Sequence, residues 1–137
     1  MILYLTMPVP PAPRPRVTRR GISFYPKVYR DFKKVAKDAL AIQWKGIEPI
    51  SEPLSLEILV LQKKPKSRIR KATANTRLPR ANTRGDLDNL LKSILDVMED
   101  AQIFTNDNII YSIKIEGWFA AENEEPITTI KLHNIAI

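Results

Sequence analysis

Apolar side chains recur along the chain with the periods of both strands and helices, which predicts six elements in the order β-α-β-α-β-β. The strands are predicted at residues 2–7, 54–61, 109–119 and 127–135, and the helices at residues 26–45 and 88–100. We therefore expect an α/β (α+β) fold in one domain over residues 1–137. It would hold a mixed sheet of about four strands, with both helices packed against the sheet.

Each predicted helix has an apolar face that we expect to be buried. The first face consists of Val28, Phe32, Val35, Ala36, Ala39 and Leu40, and the second of Leu87, Leu90, Leu91, Ile94, Leu95 and Met98. The third strand alternates, with Ile109, Tyr111, Ile113 and Ile115 on one side and Ser112, Lys114 and Glu116 on the other. These patterns predict the residues that form the core.

Two connecting segments have unusual compositions. Residues 8–24 form a loop rich in proline and arginine, and proline has no amide donor and a fixed φ, so we expect an extended surface loop. Residues 63–85 form a basic connection in which positions 63–84 hold nine Lys or Arg and no acid. A connection this long without structure is typical of function or disorder, and we expect contact with DNA to order it.

Charge separates the chain into a basic part and an acidic part. The net charge is +7, and residues 1–84 hold 19 of the 22 Lys and Arg but five of the 15 acids. Ten acids follow between Asp86 and Glu125. Such a distribution favours a nucleic-acid partner, with cations for the phosphates and carboxylates for a metal ion. The alternative is a merely basic surface.

The candidate DNA-binding residues are the cations of the basic part. They are Arg14, Arg16, Arg19, Arg20, Arg30, Lys33, Lys34, Lys37, Lys63, Lys64, Lys66, Arg68, Arg70, Lys71, Arg77, Arg80 and Arg84. Four of them, at positions 30, 33, 34 and 37, form a stripe along the first helix. The chain has no cysteine, which excludes disulfides and thiolate zinc sites. We see neither a signal peptide nor an apolar membrane span, and we expect a cytoplasmic protein.

Asp86 and Asp88 are the first candidates for chemistry. They are two residues apart where an extended segment enters the second helix, so their carboxylates project to the same side, with Lys92 one turn beyond Asp88. Carboxylate oxygens are hard ligands suited to Mg²⁺, with Mn²⁺ as a substitute. The structural alternative is that Asp88 caps the helix and forms an ordinary surface ion pair with Lys92, a pair that contributes about 0.3–0.5 kcal/mol.

The run Asp86-Leu87-Asp88-Asn89-Leu90-x-Lys92 resembles the central motif of the RusA-type Holliday-junction resolvases (crossover junction endodeoxyribonucleases). That family has another essential aspartate about fifteen residues further, and Asp107 holds this position here. The resemblance implies that Asp86, Asp88 and Asp107 bind the metal and that Lys92 is an accessory catalytic cation. The chain departs from the family at Asn106, where an acid is common, and at Gly85, which separates Arg84 from the motif.

The resemblance implies a magnesium-dependent endonuclease that acts as a homodimer on four-way DNA junctions in recombination and repair. Two alternatives are a non-catalytic nucleic-acid-binding protein and a nuclease for other branched DNA. His133 is a lone histidine, for which we expect a structural role. Trp44, Trp118 and Phe104 are expected in the core or at a dimer contact and not against DNA bases.

Overall fold

A computed structural model of the protein describes residues 1–13, 16–21, 23–81 and 86–134, without the side chains of residues 16, 17, 23 and 24. The chain divides into two compact units, which are described separately. One consists of Met1–Pro8, Glu52–Arg84 and Asn108–Ile137 and contains the main sheet. The other consists of Val9–Ser51 and Gly85–Asp107 and contains both α-helices.

The main sheet has five strands: β1 (Ile2–Leu5), β4 (Leu54–Gln62), β5 (Leu78–Pro79), β6 (Ile110–Phe119) and β7 (Ile127–Asn134). They lie in the order β1-β7-β4-β6-β5 across the sheet. Strands β4 and β6 are parallel and the other pairs are antiparallel, so the sheet is mixed as predicted. A short antiparallel pair, β2 (Arg16–Val17) and β3 (Ser23–Phe24), lies in the loop rich in proline and arginine.

One side of the main sheet carries its buried residues. Leu56 lies beside Leu132, and Ile58 lies beside Ile130, so apolar side chains form rows across β4 and β7. The four are at most 5% exposed. The opposite side is polar and exposed along the row that joins Glu57 to Lys114 and Lys131.

The predicted apolar face of β6 is only partly buried, which corrects the sequence analysis. Tyr111 is 59% exposed and Ile113 is 37% exposed. Leu54 pairs with Ile110 whereas Ser55 pairs with Ser112, so the strand has a bulge at Tyr111. A bulge inserts one extra residue, and the strict alternation between the two sides is lost at that point.

The second unit is built on α1 (Lys27–Gln43) and α2 (Leu87–Asp100), which pack against each other. Helix α1 buries Tyr29, Phe32, Ala36 and Leu40, and α2 buries Leu90, Ser93, Ile94, Val97 and Met98. The predicted face of α1 was therefore wrong at Val28 and Val35, which are 72% and 54% exposed, and it missed Tyr29. In α2, Leu87, Leu91 and Leu95 are only half-buried.

The fold class is confirmed, with two helices and a mixed sheet of five strands instead of about four. The fifth strand, β5, lies in the basic connection, which also contains 3₁₀ turns at Lys66–Arg68 and Lys71–Thr73. The prediction of a connection without regular structure was therefore wrong. The single domain over residues 1–137 stays a prediction. Among the described residues, no helix is both long and apolar enough to cross a membrane.

Candidate active site

Asp86 occupies the N-cap of α2, and its carboxylate is not used for capping. Its backbone is extended, with φ −69° and ψ 153°, and its carbonyl oxygen accepts hydrogen bonds from the amides of Asn89 at 3.0 Å and Leu90 at 3.2 Å. Its exposed side chain makes no capping hydrogen bond. Asp86 is therefore the N-cap residue by position, and Asp88 lies inside the first turn.

Asp88 and Lys92 form an exposed ion pair on α2. The Lys92 Nζ lies 3.7 Å from Oδ2 of Asp88, and the two side chains are 62% and 73% exposed. A pair this open is screened by solvent and contributes little to folding. Both groups therefore remain accessible to a ligand from solution.

Asp107 follows α2 through a helix-terminating turn. The amide of Gln102, at a φ of 60°, donates to Glu99 at 2.9 Å, and the amide of Ile103 donates to Met98 at 3.0 Å. These two bonds form a Schellman motif, which reverses the chain at the end of a helix. The next residue, Phe104, pairs with Ile50, and Asp107 then begins a 3₁₀ turn with an exposed side chain.

The structure brings Asp88 and Lys92 together, but it does not gather the three predicted carboxylates into a closed metal centre. Among the residues that the structure describes, no group of three or more His, Cys, Asp or Glu side chains is placed to hold a metal ion. The donor set itself fits a hard divalent cation, because Asp86, Asp88 and Asp107 offer exposed carboxylate oxygens.

Hydrogen bonds that were not predicted from the sequence connect α2 to other parts of the helical unit, on the side of the helix next to Asp88 and Lys92. The Ser93 hydroxyl donates to the Pro10 carbonyl at 2.6 Å and lies 3.2 Å from the carbonyl of Asn89. The Tyr29 hydroxyl donates to Oδ2 of Asp96 at 2.8 Å. Burial raises the pKa of Tyr29, and the bond to Asp96 raises it further, so this hydroxyl stays protonated. The helical spacing of Asn89, Ser93 and Asp96 is the one sequence signal for this polar face.

Several predicted DNA-binding cations have partners within their own unit. The buried Lys64 donates to the Thr73 carbonyl at 2.7 Å, and Arg77 donates to Glu124 from Nε at 2.9 Å and from Nη2 at 2.7 Å. These hydrogen bonds from Arg77 lower the pKa of the Glu124 carboxyl. Arg80 donates to Gln62 at 2.7 Å.

Two further predicted cations are engaged in the same way. Arg68 donates to the carbonyl of Ala81 at 2.6 Å and lies over the ring of Phe119. In the helical unit, Lys33 pairs with Asp100 at 3.2 Å. Five of the predicted cations therefore have a partner in the folded chain, and phosphate binding by them stays a prediction: Lys33, Lys64, Arg68, Arg77 and Arg80.

The other described cations of the set are exposed. They are Arg19, Arg20, Arg30, Lys34, Lys37, Lys63, Lys66, Arg70 and Lys71. Arg14, Arg84 and the side chain of Arg16 lie outside the described residues. The exposed cations occur in both units, so the basic surface is not confined to the helix stripe.

The expectation of core packing is confirmed for two of the aromatic residues, whereas the expected roles of Trp118 and His133 stay predictions. Trp44 and Phe104 are 6% and 1% exposed and belong to the core. Trp118 is half-buried, and its indole nitrogen donates to Glu116 at 3.3 Å. His133 is exposed in β7 beside Ser55.

Comparison with known proteins agrees with the motif. Residues 8–133 match the family described as Endodeoxyribonuclease RusA. The chain is similar to the Crossover junction endodeoxyribonuclease RusA of Aquifex aeolicus (strain VF5), with 32% identity over 112 residues that cover 81% of this chain and 75% of that protein. The match includes Asp86, Asp88, Lys92 and Asp107 within its residue range. The chain therefore belongs to the RusA endodeoxyribonuclease family.

Proposed function

We propose that this protein resolves four-way (Holliday) DNA junctions by hydrolysing phosphodiester bonds at a metal site formed by Asp86, Asp88 and Asp107. Family membership makes it a junction-resolving endodeoxyribonuclease, which acts in DNA recombination and repair. The observation that supports the site is the N-cap of α2, where Asp86 places an exposed carboxylate that the helix does not use. Because the Asp86 carboxylate makes no capping hydrogen bond and is exposed beside Asp88, both carboxylates are available to a ligand.

The chemistry of the donors favours Mg²⁺, with Mn²⁺ as a substitute. Carboxylate oxygens are the usual ligands of both ions, and the chain has no cysteine and one histidine to favour zinc. A divalent cation bound there would polarise a phosphate oxygen and lower the pKa of a bound water. The acids at positions 86, 88 and 107 repel one another, and a cation relieves that repulsion. Metal binding is therefore expected to draw Asp107 towards the other two.

Lys92 is proposed to act on the phosphate rather than on the fold. Its ammonium lies beside Asp88 and is 62% exposed, so it can reach a phosphoryl group held at the carboxylates. Negative charge develops on that group as water attacks. A positioned cation stabilises such charge more than it stabilises the ground state.

Phosphate contacts are proposed for the exposed cations, and chiefly for those without a structural partner. On α1, Arg30 and Lys37 lie seven residues apart on one exposed side. Lys63, Lys66 and Lys71 are exposed in the basic connection. Contacts of this kind fix the protein on the backbone without reading sequence.

A homodimer is proposed because α1 carries an exposed apolar seam. Val28, Val35 and Ile42 are 72%, 54% and 76% exposed and recur every seven residues, which places them on one side of the helix. Exposed apolar residues aligned in this way are typical of a helix that pairs with another helix. Two identical active sites would then face opposing strands of a symmetric junction.

Charges beside the seam favour a second copy of the chain as the partner. Lys27, Asp31, Lys34 and Asp38 are exposed and alternate in sign along one flank. In an antiparallel pair of α1 helices, Lys27 of one copy lies opposite Asp38 of the second copy, and Asp31 lies opposite Lys34. In the same register Val28 lies opposite Lys37 of the second copy, two residues or about 3 Å along the axis from Val35, so the apolar seams of the two copies still meet. The row is therefore complementary to itself.

Charge reversal tests this dimer. The variants Asp31→Lys with Asp38→Lys and Lys27→Asp with Lys34→Asp each carry a row of one sign, and we expect each to sediment as a monomer. Mixed in equal amounts, they should form a heterodimer. Glu48→Lys, an exposed acid outside the row, should leave the dimer intact. Dimeric single variants would exclude the α1 seam as the interface.

The junction activity is tested with a labelled synthetic mobile four-way junction, with and without Mg²⁺. Wild type should cut it in paired positions, and Asp86→Asn should bind without cutting. Glu99→Gln, which neutralises an exposed acid of the same helix, is the matched control and should cut normally. Binding without cleavage by wild type would support the non-catalytic alternative. Equal cutting of flaps and junctions would support a broader branched-DNA nuclease. A cytoplasmic location, which we propose, fits a nuclease that acts on DNA.

A further inference from the structure

Helix α2 is fixed by hydrogen bonds along one face, which lies next to the proposed active-site residues. Asn89, Ser93 and Asp96 recur at i, i+4 and i+7, so they share a face. Asp88 and Lys92 each precede one of these residues and lie about 100° further round the helix. Hydrogen bonds that prevent α2 from rotating about its axis therefore also fix the positions of Asp88 and Lys92.

Two partners hold this face within the helical unit. The extended segment 9–13 lies along it, because the Ala12 amide donates to the Asn89 carbonyl at 3.0 Å and the Pro10 carbonyl accepts from Ser93 at 2.6 Å. Helix α1 supplies the other contact, from the Tyr29 hydroxyl to Asp96 at 2.8 Å. The three bonds are spread over two turns of α2. Bonds at separate positions along a helix restrict its rotation more than a single bond does.

The tyrosine end of the contact between Tyr29 and Asp96 is buried. Tyr29 is 2% exposed and Ser93 is 0% exposed, while Asp96 is only half-buried. A hydrogen bond between a buried hydroxyl and a carboxylate is charge-assisted and directional. The bond therefore fixes the orientation of α2 relative to α1 more tightly than apolar packing alone would.

We propose that Tyr29, through its hydrogen bond to Asp96, is a positioning residue that sets the rotation of α2 and with it the placement of Asp88 and Lys92. The proposal rests on the proposed function, since it concerns the same metal site. A group about 5–6 Å from a helix axis moves by about 1 Å when the helix rotates by about 10°. Misplacement of about 1 Å at a reacting group lowers a rate on the order of 100-fold.

The test compares Tyr29→Phe with wild type in the full chain. Phenylalanine keeps the buried ring and removes only the hydroxyl. We expect kcat for junction cleavage to fall at least about tenfold with little change in KM, because the phosphate-binding surface is unchanged. Mn²⁺ affinity, measured by electron paramagnetic resonance without DNA, should weaken in parallel. Asp96→Asn keeps an oxygen acceptor for the hydroxyl and should restore most of both properties relative to Asp96→Leu.

A core variant separates positioning from general destabilisation. Leu40→Ala changes a buried residue of the same helix, 0% exposed, and should lower the melting temperature while kcat per folded molecule is kept. The double variant Tyr29→Phe with Asp96→Leu should have a kcat no lower than that of either single variant, because each single change already removes the same hydrogen bond. Wild-type kcat and Mn²⁺ affinity in Tyr29→Phe would overturn the positioning role alone. Wild type that neither binds Mn²⁺ nor cuts DNA would overturn the proposed function and the positioning role with it.

Discussion

Replacement of Asp86 by alanine distinguishes a carboxylate kept for chemistry from one kept for capping. An aspartate whose side chain caps a helix loses about 0.5–2 kcal/mol of stability on change to alanine. Asp86 sits at the N-cap of α2 but makes no side-chain capping bond, and it is exposed. We therefore expect a loss within about 0.5 kcal/mol, the usual range for a surface change without such contacts.

The helix dipole also contributes to the stability change, and measurements at two salt concentrations separate this contribution from a capping hydrogen bond. A negative charge at a helix N-terminus stabilises by about 0.3–1 kcal/mol at low ionic strength. Removing Asp86 also relieves its repulsion with Asp88, which opposes that loss. Both effects are screened at about 1 M salt, where the Debye length is about 3 Å, whereas a capping hydrogen bond is retained.

The assay is urea unfolding of wild type and Asp86→Ala, followed by circular dichroism at low and at high salt, beside junction cleavage with Mg²⁺. We expect nearly equal midpoints at high salt and complete loss of cleavage. Asp96→Ala is the positive control, since it breaks the charge-assisted bond from Tyr29 and should lose about 1.5–3 kcal/mol. A loss of about 1 kcal/mol or more for Asp86→Ala at high salt would mean that the carboxylate caps α2. Asp86 would then be a capping residue, with no structural reason to assign it to a metal site.

Three further predictions concern exposed cations and the end of α2. Lys92→Ala should greatly lower the cleavage rate but hardly change stability, because an exposed ion pair contributes only about 0.2–1 kcal/mol to folding. A sharp drop in melting temperature with normal activity per folded molecule would make Lys92 a structural residue. Alanine at both Arg30 and Lys37 should flatten the dependence of log Kd on log salt by about 0.9 per lost phosphate contact, whereas alanine at the buried Lys64 should lower stability and leave that slope unchanged. Gln102→Gly should raise stability by up to about 1 kcal/mol in thermal unfolding, because Gln102 has a φ of 60°, a left-handed conformation that glycine adopts without strain. No gain would mean that the side chain of Gln102 offsets the backbone strain.

The order of elements and the location of the candidate site could be predicted from the sequence, because both depend on local patterns. The predicted helices at 26–45 and 88–100 are present at Lys27–Gln43 and Leu87–Asp100. The pair Asp86 and Asp88 is indeed at the beginning of α2. Periodicity and capping chemistry act over a few residues, so they can be read without knowledge of the fold.

Which side of each element is buried depended on the tertiary structure. Val28 and Val35 have the spacing of a buried face but are exposed, while Tyr29 is buried. Helical spacing identifies a stripe of apolar residues but not the neighbour that covers it. In β6, the bulge at Tyr111 changed the side on which the following residues lie, and no local pattern predicts a bulge of this kind.

The same division holds for the polar side chains. The sequence by itself determined that residues 63–84 are strongly basic, since charge is a property of composition. Only the fold decided that Lys64 is buried against Thr73 and that Arg77 is paired with Glu124, 47 residues further along the chain. The bond between Tyr29 and Asp96 is likewise a long-range contact. Such partners meet only when the chain has folded, because a hydrogen bond requires two groups within about 3 Å and sequence distance does not report separation in space.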